Sequence, residues 1–267
     1  MKDAFLALEL IHNGTLVHDD IIDEDLFRRG TPSVPVKFGG KRAVLTGDAL
    51  LSLGLKYAAK TGRTSIVDWL SEAALRMVQG VSLQTLYRRQ LVSEEEYLYI
   101  NYLKSGSLFE TAAVLGGLMV KDDESVARDL AGFGKHFGNA YQIRDDICGV
   151  YAENRDDELS RNDLLNGDIS LPMIYALDSD RLPGEDRLKL LSVYSGERES
   201  VDLEYVQGLY EETGALERSM ERMKGFAEDA RGYLLKFCET EARDFLEELI
   251  NQYYRDFSPA DRLKVII

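Results

Sequence analysis

Cysteine, proline and positive charge are all scarce in this sequence. Of its 267 residues, two are Cys, five Pro, three His and one Trp. Cys148 and Cys238 stand far apart, with no CxxC pair and no framework spacing. That excludes a disulfide-stapled fold and leaves a reducing, cytoplasmic setting as the expectation. So few prolines favour long uninterrupted helices. Basic residues number 32 against 47 acidic ones, for a net charge of -15 and a pI near 4.7. A general nucleic-acid binder needs a basic stripe to displace counterions, so no nucleic-acid partner is expected. The same charge disfavours anionic membrane surfaces. No uncharged run approaches the roughly 20 residues of a transmembrane segment. The opening MKDAFLALELIHNG has a short apolar run, acids at Asp3 and Glu9 and no small-residue cleavage site, unlike a signal peptide. What is present, 45% hydrophobic and 30% charged residues, is a globular composition.

The apolar spacing is helical almost throughout. Leu216, Met220, Met223, Ala227, Ala230, Leu234 and Phe237 recur in steps of four and three, one face of an amphipathic helix. Ser93-Glu94-Glu95-Glu96 reads as a capping box opening a helix through Tyr97, Ile100 and Leu103. Ser258-Pro259 reads as an N-cap with proline at the first helical position. Arg29 to Pro35 and Thr61-Gly62-Arg63 read as loops, and no period-two strands bracketed by hairpin turns stand out. The polar stretch from Glu153 to Asp168 is a candidate lid. With no linker, repeat or low-complexity tract, one all-α domain of about ten helices is expected.

Two acidic clusters carry the chemistry. In His18-Asp19-Asp20-Ile21-Ile22-Asp23, Asp19 and Asp23 are i and i+4 and share a helix face. Like charges so placed repel, and a hard divalent cation such as Mg²⁺ removes the conflict; a solvated acidic face is the other reading. In Tyr141-Gln142-Ile143-Arg144-Asp145-Asp146, a second acidic pair follows Phe133, Phe137 and Ala140 on an apolar helix. Two such clusters can face each other across a bundle core. Arg28-Arg29-Gly30 directly follows the first cluster, and arginine suits bidentate phosphate recognition. Lys104-Ser105-Gly106 interrupts an otherwise apolar helix; Lys104 reads either as a snorkelling stem or as a phosphate-facing cation. Acids for metal and bases for phosphate together suggest a metal-bridged diphosphate ligand.

The segments LELIHNGTLVHDDIIDEDLFRRGTPSVPVKFG, LTGDALL, YLKSGSLFETAA, GNAYQIRDDI and NDLLNGDISLP, in that order over roughly residues 5 to 180, strongly resemble the trans-isoprenyl diphosphate synthases, the polyprenyl synthetase family. The resemblance implies an isoprenoid-synthase-type helical bundle around a deep apolar cavity, and a homodimer. It implies a reaction of isopentenyl diphosphate with an allylic diphosphate (dimethylallyl, geranyl or farnesyl) to give a trans-polyprenyl diphosphate. Asp19, Asp20 and Asp23 resemble the first aspartate-rich motif, and Asp145 and Asp146 the second. Together they imply a Mg²⁺ cluster, three ions bridging the allylic diphosphate. Arg28 resembles the arginine that contacts the allylic diphosphate and Arg29 the one that contacts isopentenyl diphosphate. Lys104, Ser105 and Gln142 resemble groups lining the reaction centre.

Four departures qualify that pattern. The second motif ends in Gly149 where the family has a third aspartate. Where the family carries lysines, Arg161 is the only base between Glu158 and Asp163, and Asp168-Ile169-Ser170 replaces a Lys-Thr pair. Ser105 replaces a threonine. Only 18 residues precede Asp19, so the family's upstream helices with their GGKxxRP segment have no counterpart. The expectation is an incomplete rendering of a longer protein, the alternative a lost part of the isopentenyl diphosphate site. The residue five before the first aspartate often floors the family's cavity; here it is Gly14, with Thr15 beside it and Ile11 a turn deeper. An open floor implies a product of C20 or longer; Gly14 as a close-packing helix residue is the competing reading. Two other classes stay open, a non-catalytic subunit of a heteromeric prenyl diphosphate synthase and a class I terpene cyclase.

Overall fold

The computed structural model describes residues 1–120, 123–151, 164, 166–168, 170–196, 202–255 and 257. The architecture is all-α. Its elements run α1 (Lys2–Ile22), β1 (Phe27–Arg28), β2 (Thr31–Pro32), α2 (Val34–Phe38), α3 (Gly40–Lys60), α4 (Thr64–Tyr87), α5 (Glu94–Asn101), a π-helical turn (Tyr102–Gly106), α6 (Ser107–Val120) and α7 (Glu124–Tyr151). There follow α8 (Leu171–Asp178), α9 (Gly184–Tyr194), α10 (Leu203–Glu212), α11 (Ala215–Leu234), α12 (Glu241–Ile250) and a second π-helical turn (Asn251–Arg255). Among the described residues no helix is long and apolar enough to cross a membrane. The chain divides into two compact units: Met1–Ser82 with Tyr102–Gly138, and Leu83–Asn101 with Asn139–Ile267.

In the first unit α1 packs along α3. Small residues make that approach possible. Ala4, Ala7, Ile11, Gly14 and Val17 form the buried stripe of α1, and Ala43, Gly47, Gly54 and Ala58 that of α3. The core joins them to Ile66, Leu70, Met77 and Leu115, with Trp69 packed against it. Each fully buried aliphatic side chain contributes about 1.5–3 kcal/mol.

In the second unit α8 is apolar nearly all round. Leu171, Pro172, Met173, Tyr175, Ala176 and Leu177 are all buried, and α8 packs against α11, α10 and α5. The α11 stripe runs through Ala215, Ser219, Met223, Phe226, Ala227, Ala230 and Leu234. It is turned slightly from the expected one: Leu216 and Met220 are only half-buried, and Phe237 lies past the helix end. The capping box forms as expected, with Ser93 N donating to Glu96 Oε2 at 2.8 Å and Glu96 N to Ser93 Oγ at 3.2 Å. Both cysteines are free thiols. The Ser258-Pro259 cap and most of the proposed lid lie outside the described residues.

The loop expected from Arg29 onward begins instead as a hairpin. Phe27 pairs with Pro32 and Arg28 with Thr31, leaving Arg29 and Gly30 as a two-residue turn. Both have positive φ, 52° and 71°. That is the combination a type I′ hairpin turn requires, and Gly30 meets it without strain. Two-residue strands are too short to show a period in sequence.

Candidate active site

The first acidic cluster closes α1. Asp23 caps the helix, its N–H donating to Asp19 O at 2.8 Å, so Asp19 and Asp23 stay in helical register on one face. Asp20 points the other way and is 2% exposed. Arg28 reaches it from the hairpin, with Nε at 2.7 Å and Nη2 at 2.6 Å from Oδ1, and also donates from Nη2 to Asp25 Oδ2 at 2.8 Å. Ser33 Oγ donates to Asp25 O at 2.5 Å and ties the far side of the hairpin to the same acid. Burial raises both carboxyls, and Arg28 pulls each back; Asp25 is left at about 6. Burial opposes the Arg28 charge, but Asp20 and Asp25 outweigh it and its pKa rises. Arg29, at the tip of the turn, is exposed. The expected diphosphate arginine Arg28 is thus held by two carboxylates, and the expected ligand Asp20 is its partner. Asp25 was not foreseen; nothing in its spacing marks it as buried.

Asp19 differs from Asp20. Its Oδ1 is buried and has no hydrogen-bond partner. Its Oδ2 lies 3.7 Å from Lys104 Nζ. Lys104 and Ser105 sit in the π-helical turn between α5 and α6, and such turns mark functional sites disproportionately. An orphaned carboxylate oxygen beside an ammonium, with Asp23 one turn on, fits a hard divalent cation bridged to a phosphate oxygen. Among the described residues, no three of His, Cys, Asp and Glu form a closed metal cage. An open site completed by a ligand's oxygens needs none. His18 is held elsewhere, with Nε2 3.2 Å from Val44 O and 3.5 Å from Asp48 Oδ1.

The three proposed chain-length residues face different partners. A Cβ on Gly14 would sit 3.1 Å from Gly47 O and Leu51 Cγ, so Gly14 serves the α1–α3 contact and not an open floor. Ile11 is fully buried against Gly54. Thr15, four residues before Asp19 and on its face, turns to α4, where its Oγ1 is 3.9 Å from Met77 Sδ.

In the second unit, α7 carries Gln142, Asp145 and Asp146 interleaved with a buried stripe of Ala140, Ile143, Ile147 and Val150. Tyr97, 2% exposed on α5, donates its hydroxyl to Asp146 Oδ2 at 2.5 Å. Gln142 Nε2 donates to Asp146 Oδ1 at 3.1 Å. Protein surrounds the carboxyl although its side chain is not fully covered, and this burial pushes it up to about 7. Asp145 is exposed. The pair therefore splits into one anchored acid and one facing outward. Gly149 occupies the last turn of α7. Asp168, in place of the family's lysine, is gripped by Arg88, Nε to Oδ1 at 2.8 Å and Nη2 to Oδ2 at 3.0 Å. Arg161 lies outside the described residues.

Among the described residues, α1 and α7 each carry an aspartate pair on an almost strand-free helical scaffold. The polyprenyl synthetase family pattern matches residues 1–212. A prenyl transferase of Synechocystis sp. is 33% identical over 248 residues, spanning 91% of this chain and 74% of the relative. A geranylgeranyl pyrophosphate synthase of Geoglobus acetivorans is 30% identical over 253 residues, spanning 92% and 77%. The crystal structure of a polyprenyl synthase of Caulobacter crescentus, complexed with calcium and isoprenyl diphosphate, superposes with a TM-score of 0.85 at 26% identity, covering 93% of this chain and 76% of that one. The chain belongs to the polyprenyl synthetase family, and by that membership it is a prenyltransferase.

Proposed function

We propose that the protein condenses isopentenyl diphosphate with an allylic diphosphate to give a trans-polyprenyl diphosphate of C20 or longer, acting as a cytoplasmic homodimer. The observation that carries this reading is the orphaned Asp19 Oδ1 beside Lys104. Asp19 and Asp23 are the proposed carboxylate ligands on α1, and Asp145 is the proposed one on α7. Mg²⁺, when bound, supplies positive charge that stabilises the departing pyrophosphate. Lys104 adds a cation on the Asp19 side, directed at the same phosphate oxygens. Arg28 fixes Asp20 and Asp25 and so sets the hairpin whose tip presents Arg29 to the second diphosphate. Tyr97 and Gln142 hold Asp146, which steadies the turn of α7 carrying Asp145. The apolar helix faces exclude water from the allylic cation, which water would quench. The π-electrons of isopentenyl diphosphate form the new C–C bond, and the proton lost goes to the released pyrophosphate.

A second reading, a subunit that shapes a partner synthase, is favoured by Asp168, whose acid stands gripped by Arg88 where the family has a cation. One incubation separates the two. Purified protein receives farnesyl diphosphate, labelled isopentenyl diphosphate and Mg²⁺. A labelled longer diphosphate is expected. No turnover refutes the enzyme reading for the isolated chain, and an unlabelled hydrocarbon assigns a cyclase.

A further inference from the structure

We infer that Gly80 is a positioning residue for Lys104. This rests on the proposed role of Lys104 at a diphosphate. Gly80 lies on the buried stripe of α4, after Ile66, Leu70, Ala73 and Met77. A Cβ there would stand 2.5 Å from the backbone N of Lys104 and 2.8 Å from its Cα. Real Cβ contacts with backbone are never that short, so α4 and the π-helical turn meet at a distance only glycine allows. The turn is approached as closely at its end: a Cβ on Gly138 of α7 would stand 2.7 Å from Gly106 Cα. Ser107, 1% exposed, donates its hydroxyl to Leu103 O at 2.8 Å, satisfying a carbonyl next to Lys104. Two glycines and one hydroxyl thus fix the backbone that aims Lys104 at Asp19.

A π-helical turn is an uncommon local widening of a helix, so the direction of Lys104 depends on what packs against its backbone. A Cβ on Gly80 would have to displace that backbone, and Lys104 with it. The close contact with Gly80 is therefore a geometric condition on the Lys104–Asp19 distance of 3.7 Å, not merely a packing detail. Misplacement of a catalytic group by about 1 Å can lower a rate about 100-fold.

The test is a double-variant cycle on the condensation of farnesyl and isopentenyl diphosphates. Gly80→Ala is expected to lower kcat roughly 10- to 100-fold with little change in KM for isopentenyl diphosphate. Adding Gly80→Ala to Lys104→Ala should lower kcat no further than about twofold, because the group being positioned is already gone. A merely structural glycine would give multiplying losses, and that result overturns the inference. Gly225→Ala, on the exposed face of α11 with open space around it, is the control and should leave activity unchanged. If Gly80→Ala does not fold, Ser107→Ala releases the same turn without a clash; it should lower kcat in the wild type and not in the Lys104→Ala background. Equal fractional losses in both backgrounds overturn the inference. A wild type without condensation activity refutes the proposed function, whereas an active wild type with additive variants refutes only the role of Gly80.

Discussion

Replacing Arg28 with Ala removes the guanidinium shared by Asp20 and Asp25. Breaking a buried ion pair by deleting one partner costs about 3–5 kcal/mol. The Arg28 side chain is 33% exposed, so water screens part of that attraction and about 2–3 kcal/mol is the better expectation. For a chain of this size the melting temperature should fall by roughly 4–12 °C at about pH 8. The pH dependence fixes the cause. Burial already lifts Asp25 from 3.8 to about 6 in the native state, with Arg28 holding it down. Without Arg28, both Asp25 and Asp20 rise further. A carboxyl raised on folding keeps its proton in the native state at pH values where the unfolded chain has lost it. Its contribution is therefore most favourable in acid and is lost as pH climbs through the folded pKa. The variant loses more on that climb than the wild type, so the gap between them should narrow from about pH 8 to about pH 5. Calorimetry in EDTA reads this without interference from metal. A gap of equal size at both pH values, or no gap at the higher one, would refute the electrostatic account of the hairpin.

Two further outcomes follow from the geometry. Tyr97→Phe removes the hydroxyl on Asp146 and should cost about 1.5–3 kcal/mol in urea unfolding, while lowering condensation turnover; an unchanged midpoint would mean that bond contributes nothing. Gly14→Phe should destabilise the α1–α3 contact and leave product length unchanged in whatever folds, while Thr15→Phe, on the Asp19 face opposite Met77, should shorten the product on chromatography; the reverse pattern would restore Gly14 as the cavity floor.

What was legible in the sequence was local. The α5 capping box needs only residues three apart, and it forms as read. The Asp19–Asp23 face needs only helical periodicity. Pairings between distant segments were not legible. Tyr97 reads as one more apolar position, and its partner Asp146 lies 49 residues away. Asp25 sits in a run of acids, and only the hairpin makes it a buried one. The α11 stripe is displaced because α8 decides which flank of an apolar face is covered, and α8 leaves no trace in the periodicity of α11. In sequence Gly14 reads either as a cavity floor or as a close-packing residue, and the close approach of Gly47 and Leu51 on α3 favours the second. Glycine patterns in general carry this ambiguity: the sequence shows that a side chain is missing, and only the partner helix shows whether backbone or open space lies opposite.

The net charge of -15 gives no measure of the electrostatics at these acids. Each covered acid named above is met by a donor: Asp20 and Asp25 share Arg28, Asp146 has Tyr97 and Gln142, and Asp168 has Arg88. Glu110 likewise accepts from Arg76 and Tyr102 at 3.2 and 2.6 Å. A buried carboxylate left unmet is costly, which is why these covered acids hold close donors, while other bases pair with exposed acids such as Glu185 and Asp178. Asp19 is the exception. Lys104 answers one of its oxygens, and the other, Oδ1, is buried without a hydrogen-bond partner. The global acid excess would repel two diphosphates, but its reach in salt is about 10 Å, whereas Lys104 acts at contact distance. The charge that matters for the proposed reaction is therefore the balance around one carboxylate, and the geometry of a single π-helical turn sets it.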